Sequence, residues 1–276
     1  IKLKGKIMAN RYSEFSLSFS HFANPKVQLG SEYKHQDILS LEGFELANKE
    51  ITSWDNYQPT PLHSFDDIAQ ETGVSSVFYK DENTRFNLKS FKALGGAYAV
   101  ANLLIKKLKD EGIKANSSDL ILGTYKDYTS KLTVCCATDG NHGRSVAWGA
   151  QQFGCNCEIY IHQKVSPGRE KAIAKYGALV NRIDGNYDES VRIAAKVAES
   201  NGYTVVSDTS YEGYTDIPKD VMQGYTVMVD ESMKQMNDTP THVFLQGGVG
   251  GFPSAVVSFL QESLDCPPIF VVVEPV

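Results

Sequence analysis

A glycine-rich turn near the end of the chain is a candidate anion site. The segment Gln246-Gly-Gly-Val-Gly-Gly251 follows an apolar run and precedes a predicted helix. Glycines allow backbone N–H groups to converge on one point, and the positive end of the following helix attracts an anion. The turn lacks both the G-x-G-x-x-G spacing of dinucleotide-binding proteins and the Gly-Lys-Ser/Thr of triphosphate-binding loops. It therefore predicts a phosphate site, and a purely structural turn is the alternative.

Lys92 is the candidate reactive amine. It lies in Leu88-Lys-Ser-Phe-Lys-Ala-Leu-Gly-Gly96, at the start of a predicted helix whose other side chains are mostly small or apolar. The helix dipole disfavours a basic residue in the first turn, so the presence of a lysine at this position needs a functional explanation. A lysine amine can form a Schiff base with a carbonyl cofactor, which would be such a reason. The alternative is an ordinary solvated lysine, because most lysines lie on protein surfaces.

A polar turn follows a predicted buried strand. Thr138-Asp-Gly-Asn-His142 brings a hydroxyl, a carboxylate, an amide and an imidazole together just before a predicted helix. Ligands of parallel sheets bind beyond the carboxyl ends of strands, where free backbone N–H groups also point outward. An ordinary turn is the alternative, with His142 in a structural hydrogen bond. The spacing of histidines and cysteines predicts no metal site.

Strands and helices alternate around these turns. Short apolar runs predict strands at residues 77–80, 132–137, 155–161, 178–183, 203–207, 241–246 and 269–273. Helical spacing predicts helices at residues 91–107, 144–153, 187–200, 219–236 and 254–263, and Ser166-Pro167 marks the start of another. This order predicts an α/β fold with mostly parallel sheets covered on both faces. The weak pattern of residues 1–50 predicts an extended or loosely packed N-terminal arm. Residues 109–131 predict a polar connection with a candidate short element at residues 120–122.

Composition narrows the possible functions. The 276 residues carry a formal charge of −6, which disfavours nucleic acid and anionic membranes as main partners. The longest clean apolar run near the end, residues 269–273, is too short to cross a bilayer, and the first ten residues lack the apolar centre of a secretory signal. The five cysteines form no C-x-x-C pair, so we expect small buried thiols in a reducing compartment, the cytoplasm.

Jointly, the three segments resemble the fold type II pyridoxal-phosphate enzymes. Ser90-Phe-Lys92 at a helix start, the Gly-Asn-His turn and the glycine-rich turn occur in that order. Within this superfamily the chain is more similar to the diaminopropionate ammonia-lyases, and the resemblance covers about residue 50 to the end. Asp139 stands where the dehydratases usually have serine. The segments responsible are Phe91-Lys-Ala-Leu-Gly-Gly-Ala-Tyr98, Ala137-Thr-Asp-Gly-Asn-His-Gly-Arg-Ser-Val-Ala-Trp148 and Asp208-Thr-Ser-Tyr-Glu-Gly-Tyr-Thr-Asp-Ile-Pro218.

The resemblance implies a role for each candidate residue. Lys92 holds the cofactor pyridoxal 5'-phosphate through a Schiff base and acts as a base at the substrate Cα. Asn141 donates a hydrogen bond to the cofactor's phenolic oxygen. Asp139 is a second proton acceptor on the opposite face, and Asp208 orients or acts on the substrate's β-amino group. The substrate carboxylate is received by Thr138, Asp139, Gly140 and His142, and the cofactor phosphate by Gly248, Val249, Gly250 and Gly251.

The implied reaction is an α,β-elimination that converts D- and L-2,3-diaminopropionate to pyruvate and ammonia. Two bases on opposite faces, Lys92 and Asp139, would let one site accept both isomers, because a carboxylate abstracts a proton where a serine hydroxyl does not. The alternatives are a serine/threonine dehydratase-like lyase of the same superfamily, or a truncated non-catalytic relative. The resemblance also implies a homodimer.

The same resemblance implies two three-layer αβα domains with the cofactor between them. The large domain comprises residues 51–100 and 210–276, and the small domain comprises residues 101–209. Members of the family continue beyond the strand at residues 269–273, and one later turn supplies the polar group that faces the pyridine nitrogen. We therefore expect a fold that is truncated at its C-terminus.

Overall fold

The helices and strands alternate along the chain as predicted. The computed structural model describes residues 20–26 and 33–275. Its strands are β1 (Leu62–Ser64), β2 (Phe78–Lys80), β3 (Thr133–Ala137), β4 (Asn156–His162), β5 (Leu179–Ile183), β6 (Thr204–Val205), β7 (His242–Gln246) and β8 (Ile269–Val273). Its α-helices are α1 (Leu41–Thr52), α2 (Asp66–Thr72), α3 (Lys92–Asp110), α4 (Ser117–Ile121), α5 (Lys126–Thr129), α6 (Asn141–Phe153), α7 (Pro167–Ala174), α8 (Tyr187–Asn201), α9 (Asp216–Gln235) and α10 (Gly251–Ser263).

A four-stranded parallel sheet forms the middle of the chain. Its strand order is β5-β4-β3-β6, and α6 and α8 both pack on β3 and β4. The adjacent Cys135 and Cys136 point to opposite faces, since Cys135 is buried against α8 and Cys136 against the core that includes α6. A strand buried on both faces needs a continuous apolar run, which is what residues 133–137 supply. The predicted α/β fold with parallel strands is confirmed.

Two smaller sheets accompany the four-stranded one. Strands β7 and β8 pair in parallel, with α10 against β7, and α9 packs between α10 and α3. Strands β1 and β2 pair antiparallel over three residues each. Because β3, β4 and β6 of one sheet and β7 of another all lead into turns, the polar and glycine-rich turns lie at carboxyl ends of parallel strands, as predicted.

Helix α3 joins the two parallel sheets. It packs on α6 on one side and on α9 on the other. Glycines let these helices approach closely. A Cβ at Gly224 of α9 would overlap the carbonyl oxygen of Leu94 on α3, and a Cβ at Gly96 of α3 would lie 2.5 Å from Ser145 Oγ on α6. The predicted domain boundary between residues 100 and 101 falls inside this continuous helix. The two parts therefore share α3 and are not separated by a linker at that point.

Two regions of the chain differ from the sequence prediction. Leu41–Thr52 is a helix where an extended arm was expected, with the Ser40 hydroxyl accepting the Gly43 N–H at 3.1 Å and the helix packed on α9. The remainder of the predicted arm at residues 1–19 and 27–32 lies outside the described residues. The polar connection at residues 109–131 contains α4, which overlaps the short element expected at residues 120–122, and also the unexpected α5.

The cysteines follow the expectation of buried thiols in part. Cys135, Cys136 and Cys157 are buried, Cys155 is half-buried, and Cys266 is exposed. All five are unpaired, and burial raises the pKa of both Cys135 and Cys155 to about 12, so these two thiols remain protonated at neutral pH. Within residues 20–26 and 33–275, none of the helices is both long and apolar enough to span a lipid bilayer.

Candidate active site

Lys92 is the first residue of α3, and aromatic packing holds it there. The ring of Phe91 lies 4.6 Å from that of Phe252 on α10 and 5.0 Å from that of Tyr225 on α9. The Lys92 carbonyl accepts a hydrogen bond of 2.7 Å from the Ser145 hydroxyl on α6. The backbone of this residue is therefore anchored to three helices, and its long side chain is left to reach across the site.

The ammonium of Lys92 meets the carboxylate of Asp208. Lys92 Nζ lies 2.5 Å from Asp208 Oδ2, and the Asp208 side chain is only 13% exposed. Burial alone would raise the pKa of Asp208, but the charges of His142 and Lys92 and the Lys92 hydrogen bond outweigh it and lower that pKa to about 2. The Asp208 carboxylate beside the Lys92 ammonium thus explains why a lysine is tolerated in the first turn of the helix.

Two residues of the polar turn make hydrogen bonds inside the protein. His142 is buried, and its Nε2 lies 2.8 Å from the carbonyl of Val206, so Nε2 carries the hydrogen that donates to that oxygen. The buried Thr138 hydroxyl accepts the N–H groups of Gly140 at 3.0 Å and Gly143 at 3.1 Å. These bonds hold the turn in shape, and His142 has the structural hydrogen bond that the sequence offered as an alternative. The role of both residues as substrate ligands stays a prediction.

Asn141 and Asp139 lie at the open side of the same turn. Asn141 is the first residue of α6, three residues earlier than the predicted start, and its side-chain oxygen accepts a 3.1 Å hydrogen bond from Arg144. Asp139 is 59% exposed, and its Oδ1 lies 2.9 Å from Nε2 of His162. The amide and the carboxylate are therefore presented toward solvent, while Thr138 and His142 support them from within.

Tyr187, the first residue of α8, interacts electrostatically with both aspartates. Burial, the charge of Asp208 and then the charges of Cys136 and Asp139 raise its pKa to about 12. The sequence analysis did not select Tyr187, because it is distant in sequence from both aspartates and α8 brings it to the sheet that carries them only in the folded protein.

The glycine-rich turn has the shape of an anion cradle. Gly250 caps α10 with φ of +88°, and a Cβ at Gly248 or Gly250 would meet no atom within 4 Å. A Cβ on Gly251 would lie 3.5 Å from the Asp208 carbonyl, so this turn borders the Asp208 turn. Val249 is more than half exposed. Open space above backbone N–H groups at the N-terminus of a 13-residue helix suits a phosphate.

Four buried polar atoms without a hydrogen-bond partner surround this site. Buried side-chain polar atoms are nearly always paired in native proteins, so such atoms need an explanation. Tyr225 contributes its ring under Lys92 at 5.5 Å, Thr209 follows Asp208, and Arg144 bonds Asn141. In the described part of the chain the unpartnered atoms are His142 Nδ1, Arg144 Nε, Thr209 Oγ1 and Tyr225 Oη. Their concentration here indicates a place built for a bound polar group.

Comparison with known proteins identifies the family. The family model described as pyridoxal-phosphate dependent enzyme matches residues 54–276. The chain is a member of this family. The residues present fit this cofactor, because the site contains a lysine amine, an open glycine-rich turn at a helix N-terminus and an exposed side-chain amide.

The similar proteins include diaminopropionate ammonia-lyases. The chain is 43% identical over 230 residues to the diaminopropionate ammonia-lyase of Escherichia coli strain K12, covering 82% of this chain and 56% of that protein. The corresponding protein of Salmonella typhimurium is 38% identical over 225 residues, covering 80% and 56%. The crystal structure of holo diaminopropionate ammonia lyase from Escherichia coli superposes with a TM-score of 0.82 at 38% identity, covering 92% and 64%. The chain thus spans about half to two thirds of the length of these relatives.

Proposed function

We propose that the protein catalyses the α,β-elimination of 2,3-diaminopropionate, in its D and L forms, to pyruvate and ammonia. The observation that carries the substrate choice is the buried Asp208 carboxylate, 2.5 Å from Lys92 Nζ. The similarity to two diaminopropionate ammonia-lyases supports the same reaction class. Pyridoxal phosphate, when bound, supplies an electron sink that stabilises negative charge at the substrate Cα.

The residues around Lys92 hold the cofactor in this proposal. The Lys92 amine is its covalent attachment point, and Gly248, Val249, Gly250 and Gly251 bind the phosphate with backbone N–H groups at the start of α10. Asn141 donates its side-chain amide to the phenolic oxygen, which requires the amide to present its nitrogen while its oxygen stays on Arg144. The Lys92 amine would also accept the Cα proton on its face.

Asp208 selects a substrate with a second amino group. Its pKa of about 2 keeps it ionised at neutral pH, and its partner in the structure is an ammonium group, that of Lys92. The β-ammonium of 2,3-diaminopropionate can take the same place on this carboxylate. A β-hydroxyl, as in serine, is neutral and gains much less from a buried anion. The carboxylate therefore favours a diamino acid over a hydroxy amino acid and orients the nitrogen that leaves from Cβ.

Asp139 is the second proton acceptor in this proposal. As a carboxylate it can take a proton from Cα on the face opposite Lys92, and its exposure lets it exchange that proton with water. Elimination breaks the Cα–H and Cβ–N bonds and releases one ammonia. Hydrolysis of the remaining three-carbon enamine releases pyruvate and a second ammonia, so each turnover consumes one water.

A product assay tests this function. The cofactor-loaded protein is incubated with each isomer of 2,3-diaminopropionate and of serine, and pyruvate and ammonia are both measured. We expect turnover of both diaminopropionate isomers with two ammonia per pyruvate, and no turnover by Lys92→Ala. A borohydride-sensitive absorption band, absent from Lys92→Ala, reports the attached cofactor independently. Preferential turnover of serine, with one ammonia per pyruvate, would show a dehydratase-like lyase. No band and no turnover would show a non-catalytic relative.

We also propose that the protein acts as a cytoplasmic homodimer. The five unpaired cysteines support a reducing compartment. The resemblance to the fold type II enzymes supports the dimer. Sedimentation of the cofactor-loaded protein tests the proposed dimer, and a monomer at micromolar concentration would contradict it.

A further inference from the structure

The Asp139 carboxylate needs a support to serve as a base. Its side chain is 59% exposed, and an exposed carboxylate on a turn samples several rotamers. A proton acceptor works only when it is held within hydrogen-bond reach of the proton that it takes. His162 can hold Asp139 in place. Its Nε2 lies 2.9 Å from Asp139 Oδ1, and its ring is largely buried, with 16% of the side chain exposed.

The tautomer of His162 follows from its other neighbour. The backbone N–H of Lys164 donates to His162 Nδ1 at 3.3 Å, so Nδ1 is an acceptor. The hydrogen of the neutral ring is then on Nε2, where it points at Asp139 Oδ1. His162 is also the last residue of β4 and pairs in register with Ile183 of β5, so its backbone is fixed by the sheet. The His162 ring, whose backbone is fixed, thus donates a hydrogen bond to Asp139 Oδ1 and leaves Oδ2 to accept a proton.

The backbone of the turn is held from the same side. Arg169 on α7 donates to the main-chain carbonyl of Asp139 at 3.3 Å, and its aliphatic carbons would lie 3.3 Å from a Cβ on Gly140. His162 and Arg169 both belong to the βα unit that follows the turn. The βα unit that follows therefore positions the polar turn through two hydrogen bonds. His162 donates to the Asp139 side chain, and Arg169 donates to the Asp139 main-chain carbonyl.

We propose that His162 is a positioning residue for Asp139, required for turnover of D-2,3-diaminopropionate and dispensable for the L isomer. This inference rests on the proposed function, in which Asp139 takes the Cα proton of the D isomer and Lys92 that of the L isomer. His162 does not contact the substrate. Its Nε2–H orients the carboxylate, so loss of the ring affects only the face on which Asp139 works.

Kinetics of both isomers test this inference. The cofactor-loaded protein is compared with His162→Ala, His162→Gln and Asp139→Asn, and His63→Ala removes a surface histidine that pairs with Asp81 at 3.6 Å. We expect His162→Ala to lower kcat for the D isomer by about 10- to 100-fold, the effect of one lost hydrogen bond to a charged group. The L isomer should change much less, because Lys92 accepts its proton on the opposite face. His162→Gln keeps an N–H donor and should recover part of the loss, while His63→Ala should leave both isomers unaffected.

Nitrogen NMR of the imidazole gives a readout that does not depend on turnover. We expect the His162 ring to be protonated at Nε2, and Asp139→Asn to shift the Nε2 resonance while the His63 signals stay in place. Equal kinetic losses for the two isomers, no loss, or a ring protonated at Nδ1 would overturn the inference alone. Failure of the unchanged protein to turn over either isomer would overturn the proposed function, and the inference with it.

Discussion

Replacing Asp208 with asparagine should destabilise the cofactor-free protein. The carboxyl pKa falls from 3.8 to about 2 on folding, despite a burial that opposes this, because His142 and Lys92 lie beside the charge. A shift of this size corresponds to about 2 kcal/mol of folding free energy. Since the folded protein holds the proton more weakly than the unfolded chain, the stabilisation is fully present above pH 3.8 and is lost as the pH falls toward 2.

Urea unfolding at a series of pH values measures this effect. We expect Asp208→Asn to lose about 2 kcal/mol at pH 7 and the difference from the unchanged protein to shrink below about pH 4. Asp220 provides a matched control, since its side chain is 16% exposed and that of Asp208 is 13% exposed. Burial raises the pKa of Asp220 in spite of Lys106 and Asn102, so its ionisation opposes folding. The unchanged protein should therefore gain stability relative to Asp220→Asn as the pH falls, the opposite slope.

Two results would refute the electrostatic reasoning. The first is an Asp208→Asn protein as stable as the unchanged one at pH 7, which would mean that burial of the carboxylate cancels the contribution of Lys92 and His142. The second is a stability difference that does not depend on pH, which would assign the loss to packing. Because both variants keep the size of the side chain, a common slope for Asp208 and Asp220 would also contradict the opposite pKa directions.

Three further substitutions test other parts of the structure. Glu231→Gln should cost about 3 kcal/mol in urea unfolding, because it removes the carboxylate that pairs with Arg85 at 2.7 Å and with Lys80 at 2.8 Å and leaves Glu82 alone to balance the two buried cations. Gly224→Ala should cost about 1 to 3 kcal/mol because the added methyl overlaps the Leu94 carbonyl where α9 crosses α3. Gly248→Ala should leave the unfolding free energy within about 0.5 kcal/mol, as the space is open, yet lower cofactor occupancy measured by absorbance. Unchanged occupancy would place the phosphate elsewhere.

The sequence was sufficient for the elements whose apolar pattern is strong. The strand at residues 269–273 has the predicted bounds, and Ser166 caps α7 with Pro167 in its first turn as expected. Helix α1 was missed although its apolar residues recur at helical spacing: the fully buried Ala47 and Ile51 are four positions apart, and Phe44 packs on Phe259 of α10.

Strand β6 and the site show a second limit. Residues 203–207 predict a strand, yet β6 ends at Val205 because the Val206 carbonyl accepts from His142 and the Ser207 N–H donates to the Tyr214 hydroxyl at 2.9 Å. Side chains distant in sequence thus replace the sheet hydrogen bonds. Lys92 and the turns were found from residue type and spacing, whereas the pairing of Lys92 with Asp208 was found only in the folded structure.

The central claim is that the Asp208 carboxylate, beside the reactive lysine, makes the site one for a diamino acid. The direct test is the ratio of kcat/KM for 2,3-diaminopropionate to that for serine, measured for the cofactor-loaded protein and for Asp208→Asn. We expect this ratio to favour 2,3-diaminopropionate in the unchanged protein and to fall by about 10- to 100-fold in the variant, because one charge-assisted hydrogen bond is lost. An unchanged ratio, with both substrates slowed equally, would contradict it.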